Sequence, residues 1–141
     1  MSAEENKAVV RREFEEMFNQ GGNLDAAEEI YAPDYVGHEP AFGDSHGVEG
    51  AKQFAADFRQ AFPDLHTTIE EMVAEGEKIV TRFSTRGTHQ GEIMGAAPTG
   101  KLVTHTGHQT DRFEGGKIVE SWTNWDALGL LQEIGAIPSP G

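Results

Sequence analysis

Apolar residues in the first half of the chain recur at the spacing of helices. Val10, Phe14 and Met17 lie on one face of a predicted helix over Glu4–Gln20, and glutamates occupy many of the positions between them. Two glycines then signal its end. Apolar positions also recur every three or four residues between 48 and 62, which predicts another helix, terminated by a proline. Each of these helices has one face suited to a core.

Shorter segments separate these two helices. Leu24–Tyr31 is predicted to be a short helix with Asn23 as its N-cap, and Pro33 ends it. Tyr35 begins an irregular stretch, and Val36–Gly47 contains several Gly and Pro residues and two histidines. We therefore expect a long loop there, of a length that often carries function.

The second half of the chain changes to the two-residue period of strands. Glycine-bearing turns at 75–77 and 114–116 are expected to join antiparallel hairpins, and Gly91–Gly100 forms a wider connection. Asp126 is predicted to cap a last helix over Ala127–Ile134. Helices followed by antiparallel strands predict the α+β fold class, in a single domain over residues 1–141. The predicted strands are Leu65–Ala74, Lys78–His89, Lys101–Phe113 and Lys117–Trp125.

The interior of the third predicted strand contains no large apolar side chain. By alternation His105, Gln109 and Asp111 share one face, and the next strand presents Thr123 and Trp125 on one face of its own. Polar groups beside aromatic walls predict a pocket for an oxygen-rich organic ligand. The opposite face is expected to contribute to a subunit interface. The alternative is a half-exposed strand whose threonines only satisfy β propensity.

Composition excludes several kinds of partner and chemistry. The formal net charge of −13 would repel nucleic acids and anionic membranes, and no stretch is apolar enough to span a bilayer, so we expect a cytoplasmic protein. The absence of Cys excludes disulfides and thiolate chemistry. The six histidines lack a metal-binding spacing and no nucleotide-binding motif occurs, so we expect neither a metal nor a cofactor.

Several motifs resemble those of the SnoaL-like polyketide cyclases, also called ester cyclases. The resemblance covers nearly the whole chain and implies a cone-shaped fold of the nuclear-transport-factor-2-like, or cystatin-like, kind. In this fold N-terminal helices pack on a curved antiparallel sheet around an internal pocket, forming an α+β barrel. It also implies a homodimer and a small hydrophobic or polyketide-like ligand. The matching segments are Ala61–Leu65, Gly87–Gly91, Pro98–Lys101, Gly116–Trp122 and Leu128–Gly135.

The resemblance also implies a chemistry, from which this sequence departs. The family's named cyclases close a ring by cofactor-free aldol chemistry, using an Asp as general acid/base beside a His. The matching positions here are Thr123 and Gln109, and neither is a base near neutral pH. One hypothesis is therefore an enzyme acting on a small carbonyl or ester compound with relocated acid/base residues, His105, Asp111 and His38. Gln109 and Thr123 would then hydrogen-bond a carbonyl or enolate oxygen.

A second hypothesis is a non-catalytic protein that binds a small hydrophobic molecule. Tyr35 and Trp125 would supply contact area, and the polar pocket residues would orient the ligand. Trp122 alternates to the face opposite Thr123, which favours a core or interface position for it. A hydrolase of the same fold, such as an epoxide-opening enzyme, is a third possibility.

Overall fold

The structure of the protein, a computed structural model, describes residues 2–139. Helices occupy the start and end of this range, and strands dominate its second half. None of the helices within it is long and apolar enough to cross a membrane. The helices are α1 (Ala3–Met17), α2 (Ala27–Ile30, preceded by a 3-10 turn at Leu24–Ala26), α3 (Gly47–Ala61) and α4 (Ala127–Glu133). The strands are β1 (Tyr31–His38), β2 (Ser45–His46), β3 (His66–Glu75), β4 (Lys78–Thr88), β5 (Leu102–Glu114) and β6 (Lys117–Trp125).

Local sequence signals account for the helix ends. Ser2 and Glu5 form a capping box at the start of α1, in which each side chain accepts a hydrogen bond from the other residue's backbone N–H. Asp126 caps α4 by accepting from the Gly129 N–H at 2.8 Å, as predicted. The long first and third helices and the short last helix are confirmed with small shifts at their ends.

The strands form one curved six-stranded sheet in the order β2-β1-β6-β5-β4-β3. The β3–β4 and β5–β6 hairpins pair antiparallel across the predicted glycine turns. In the β5–β6 ladder Gln109 pairs with Thr123 and Asp111 pairs with Ser121. This register places the polar residues of both strands side by side on one face of the sheet.

The region after the second predicted helix differs from the expectation. Tyr31–His38 forms a strand that pairs parallel to β6 and antiparallel to Ser45–His46. The predicted loop over Val36–Gly47 was therefore wrong at both ends, because only residues 39–44 of it lie outside helices and strands. The predicted helix over Leu24–Tyr31 is only a 3-10 turn and one helical turn. The sheet is accordingly mixed rather than wholly antiparallel. The partner strand of β1 lies more than 80 residues further along the chain, and no local pattern indicates such a pairing.

The helices cover one face of the sheet and bury most of the core there. Phe14 and Met17 of α1 pack with Ile79 and Phe113 of the sheet, and all four are at most 3% exposed. Gly107 allows this packing on β5, since a Cβ atom there would lie 2.5 Å from the ring of Phe83. Aromatic rings from neighbouring elements thus fill the space that large apolar side chains of β5 would otherwise occupy.

Candidate functional site

A small cavity of about 40 Å³ lies between the helices and the inner face of β3–β6. Most of its wall is aromatic, and a few polar side chains project into it from the strands. This composition suits a flat, largely apolar ligand with a small number of oxygen atoms. The aromatic residues are Phe14, Phe18, Phe54, Phe58, Phe83 and Trp125, and the polar ones are Thr67, Thr85, His105, Gln109 and Thr123.

A second, smaller recess of about 20 Å³ adjoins this cavity. The cavity and the recess share Phe18, Phe54, Gln109 and Thr123 as lining residues. Gln109 and Thr123, the polar pair of this set, therefore lie where the cavity and the recess meet. Tyr35 lines the second recess with its ring 4.5 Å from that of Tyr31. The polar pair can therefore be reached by a ligand in either recess.

An aromatic cluster surrounds the outer end of the cavity. Phe42 stacks on Trp125 with ring centroids 6.1 Å apart and also makes edge contacts with Phe54 and Phe58. Glu39 holds the segment that carries Phe42 against the cavity wall. Its carboxylate accepts hydrogen bonds from Trp125 Nε1 at 2.8 Å and from the Phe42 N–H at 2.7 Å. Phe42 is 43% exposed, and it borders an outer groove of about 360 Å³ that shares Phe54 and Phe58 with the cavity.

His105 is the ionisable side chain on the cavity wall. It is 7% exposed, its ring centroid lies 4.8 Å from that of Trp125, and its Nδ1 has no hydrogen-bond partner among residues 2–139. Burial lowers the pKa of His105 to about 4, because the cation loses its hydration, and the negative charge of Asp126 opposes this shift only weakly. The imidazole is therefore neutral at neutral pH and holds an unused hydrogen-bonding nitrogen.

Gln109 and Thr123 form a hydrogen-bonded pair on neighbouring strands. Thr123 Oγ1 donates to Gln109 Oε1 at 3.0 Å. The Nε2 group of Gln109 points away from the cavity, towards Glu13 Oε1 at 3.0 Å and the two carboxylate oxygens of Asp111 at 3.1 and 3.0 Å. The amide thus connects the cavity wall to two buried acids.

Glu13 and Asp111 form a buried acidic pair beneath the cavity. Tyr31 donates its hydroxyl proton to Glu13 at 2.6 Å, and Ser121 donates to Asp111. Burial raises the pKa of Glu13 well above its usual value, and the neighbouring Asp111 charge raises it further. Burial also raises the pKa of Asp111, but its hydrogen bonds from Ser121 and Gln109 oppose the rise. Burial thus favours the protonated form of both acids, and more strongly that of Glu13.

The structure brings together four of the predicted site residues: His105, Gln109, Thr123 and Trp125 line one cavity. Tyr35 belongs to the adjoining recess.

The remaining two predicted residues have no free polar group facing the cavity. Asp111 is fully buried behind Gln109, where Ser121 and Gln109 occupy its oxygens. His38 borders the second recess, but its ring nitrogens bond to Asp44 and Glu120 at 3.2 and 2.7 Å. The His38 ring stacks on Trp122, on the opposite face of the sheet from Thr123.

Sequence reasoning overlooked Glu13. A signal was present, because position 13 falls with positions 10, 14 and 17 on the apolar face of α1. A glutamate on the buried face of a helix needs a partner in the interior. Its partners, Tyr31 and Gln109, lie 18 and 96 residues away along the chain.

A model of the SnoaL-like polyketide cyclase family matches residues 8–134. The chain belongs to this family. Comparison with curated proteins gave no significant match.

Solved structures of SnoaL-like proteins share the fold over most of their length. A protein of Jannaschia sp. CCS1, provisionally described as a SnoaL-like polyketide cyclase, is 26% identical with a TM-score of 0.86, covering 98% of each chain. IdmH of Streptomyces antibioticus, provisionally described as a polyketide cyclase, is 30% identical with a TM-score of 0.78, covering 92% of this chain and 98% of IdmH. AclR of Streptomyces galilaeus, provisionally described as a hydroxylase, is 26% identical with a TM-score of 0.83, covering 99% and 87%. These three proteins of the same fold are described as having different activities, so the function of this chain must be argued from its site.

Proposed function

We propose that this protein binds a small, largely apolar carbonyl or ester compound in the aromatic cavity and catalyses cofactor-independent proton transfer on it. The proposal places the reaction in a single domain over residues 1–141. The observation that carries it is the position of His105, a neutral imidazole with an unpaired nitrogen on the wall of a largely apolar cavity. An unpaired buried nitrogen is costly unless it has a function or a partner.

The low pKa of His105 keeps the imidazole in the form that a general base requires. Protonation in the empty cavity is unfavourable by about 3 kcal/mol relative to water, since the pKa falls from 6.5 to about 4. A proton taken from the carbon next to a carbonyl leaves an enolate anion at the same moment. That anion pairs with the new imidazolium inside a poorly hydrated site and offsets this penalty.

Asp111 has a positioning role in this proposal, because it reaches the cavity only through Gln109. Tyr35 and Trp125 supply contact area for the ligand, while Gln109 and Thr123 orient one of its oxygens. His38 is not required for the reaction, because acidic partners occupy both of its ring nitrogens.

Non-catalytic binding is the second candidate. It is favoured by Thr123 and Gln109, which stand at the positions that resemble the family's catalytic pair and cannot act as bases. In that case His105 serves as a hydrogen-bonding group for the ligand and no proton is exchanged.

Deuterium exchange separates the two candidates. Native mass spectrometry with a panel of aromatic polyketide esters and ketones identifies a bound compound, and NMR in D2O then measures exchange of its α-protons. We expect the wild-type protein to accelerate exchange and His105→Gln to lose most of the acceleration while still binding. His108→Gln is the matched control, because His108 is exposed on the opposite face of the same strand.

The outcomes of this experiment are distinct. Binding without exchange in the wild-type protein would refute catalysis and leave the binding function. Exchange that persists in His105→Gln would refute the assignment of the base, and the absence of any bound compound would refute the ligand site.

We also propose a cytoplasmic homodimer that associates through the outer face of the sheet. A row of side chains crosses that face, in which Val73 pairs with Val80, Val80 with Thr110 and Thr110 with Trp122. The two valines are 60% and 37% exposed, which is unusual for neighbouring apolar residues on a sheet. Sedimentation equilibrium should give twice the chain mass, and Val80→Glu should shift it towards the monomer. A wild-type monomer would refute this.

A further inference from the structure

The buried acids determine which end of the Gln109 amide faces the cavity. Three carboxyl oxygens of Glu13 and Asp111 lie within 3.1 Å of Gln109 Nε2. An amide nitrogen donates two hydrogen bonds, whereas the amide oxygen only accepts. The reverse orientation would set Gln109 Oε1, which only accepts, against these oxygens and would remove the hydrogen bonds that Nε2 donates to them. The NH2 end is therefore held towards the acids, and the carbonyl end towards Thr123.

This orientation determines in turn where the Thr123 proton points. Gln109 Oε1 is an acceptor, so the 3.0 Å contact with Thr123 Oγ1 requires the hydroxyl to donate. Gln109 is 5% exposed, and turning the Thr123 proton towards a ligand would leave a nearly buried carbonyl oxygen without a donor. The two side chains thus present oxygen lone pairs to the cavity and no free proton.

We infer that this protein selects carbonyl or ester compounds that also present a hydroxyl donor, on a phenol or an enol, to Thr123, in preference to compounds with an ether at that point. The inference rests on the proposed ligand site and narrows its substrate class. It reverses the expectation that Gln109 and Thr123 donate to a carbonyl or enolate oxygen. Glu13 is a positioning residue here, because it fixes the orientation of Gln109, although its carboxyl group also borders the second recess.

A pair of matched probes tests the selectivity. The dissociation constants of 1-naphthol and 1-methoxynaphthalene are measured by calorimetry at pH 7. 1-Methoxynaphthalene carries a methyl group where 1-naphthol carries its hydroxyl proton, so only the naphthol can donate a hydrogen bond to Thr123. We expect the wild-type protein to bind the naphthol about tenfold more tightly, the value of one hydrogen bond. Thr123→Val should lose this preference, and Thr123→Ser should retain it.

A second set of variants separates the direction of the hydrogen bond from its mere presence. In Gln109→Met the Thr123 proton is released, so the preference for the naphthol should fall although Thr123 is retained. Replacing both acids, Glu13→Gln with Asp111→Asn, frees the amide to turn and should lower the preference in the same way. A purely structural role of these residues would weaken both probes equally and leave the ratio unchanged. Thr106→Val, at an exposed position on the outer face of β5, is the matched control.

The selectivity and the ligand site fail in different ways. Equal binding of the two probes by the wild-type protein, or a preference that survives Thr123→Val, would overturn the selectivity and leave the proposed function intact. If neither probe bound to the folded wild-type protein, the ligand site itself would be refuted. If the Gln109 or acid variants do not fold, the Thr123 variants still decide.

Discussion

Acidification should destabilise this protein through His105, by an amount that the structure allows us to calculate. Burial lowers the pKa of His105 to about 4, whereas the unfolded chain has the ordinary value of 6.5. Above pH 6.5 the residue is neutral in both states and contributes nothing. Below pH 6.5 the unfolded state binds a proton that the folded state does not, so stability falls by about 1.4 kcal/mol per pH unit until pH 4.

The loss attributable to His105 should be about 2 kcal/mol at pH 5.0, from the interval between pH 6.5 and 5.0. Urea unfolding of the wild-type protein and of His105→Gln at pH 7.5 and 5.0 measures it. We compare the change with pH in the two proteins, so that the titration of other groups cancels. The wild-type protein should lose about 2 kcal/mol more than the variant between these pH values.

A control and an independent measurement accompany this prediction. His108→Gln, at an exposed position on the opposite face of the same strand, is the control for replacing a β5 histidine by glutamine. The ring-proton resonance of His105 in NMR should titrate with a midpoint near 4. A midpoint near 6.5, or identical pH dependence in the wild-type protein and His105→Gln, would refute the claim that His105 is buried and neutral in the cavity.

Three further predictions concern stability. The pKa of Glu13 is raised in the folded state. The contribution of Glu13 to stability is therefore complete below about pH 4.5 and is lost as the pH rises. Glu13→Gln should gain stability relative to the wild-type protein between pH 5 and 8, and urea unfolding that shows no such gain would contradict this. The hydrogen bond that His38 donates to the Glu120 carboxylate raises the pKa of His38, so the wild-type advantage over His38→Gln should be present below pH 6.5 and diminish above it in the same assay. Phe14→Ala should cost roughly 3–5 kcal/mol, because the buried ring packs against Phe83 at 5.5 Å; a loss below 1 kcal/mol would indicate a collapsible site.

The buried acids Glu13 and Asp111 affect both the stability of the protein and the proposed ligand selectivity. An isolated pair of carboxyl groups in the interior would be strongly destabilising, but here the Tyr31 hydroxyl, Ser121 and the Gln109 amide donate hydrogen bonds to their oxygens. The same hydrogen bonds give Gln109 a single orientation. The variants that test the selectivity will therefore also change stability, which is why the ratio of two ligands is the appropriate measurement.

Local patterns were sufficient for most of the fold and for the grouping of the cavity residues. The spacing around Val10 and Phe14 reflects the 3.6-residue turn of a helix, and it predicted α1 to within a few residues at each end. Alternation along β5 and β6 placed His105, Gln109 and Thr123 on one face, because successive side chains of a strand point to opposite sides. These features follow from the geometry of neighbouring residues.

The tertiary structure decided the features that depend on residues distant in the chain. β1 became a strand because β6 offers it a parallel partner, and no local pattern at Val36 indicates this. Glu13 entered the site because α1 packs across β5 and brings it within 3.0 Å of Gln109. The pKa of His105 and the direction of the Thr123 hydrogen bond likewise depend on which groups surround them after folding. Burial and hydrogen-bond partners are properties of the assembled interior, so the chemistry of the cavity cannot be read from any single segment.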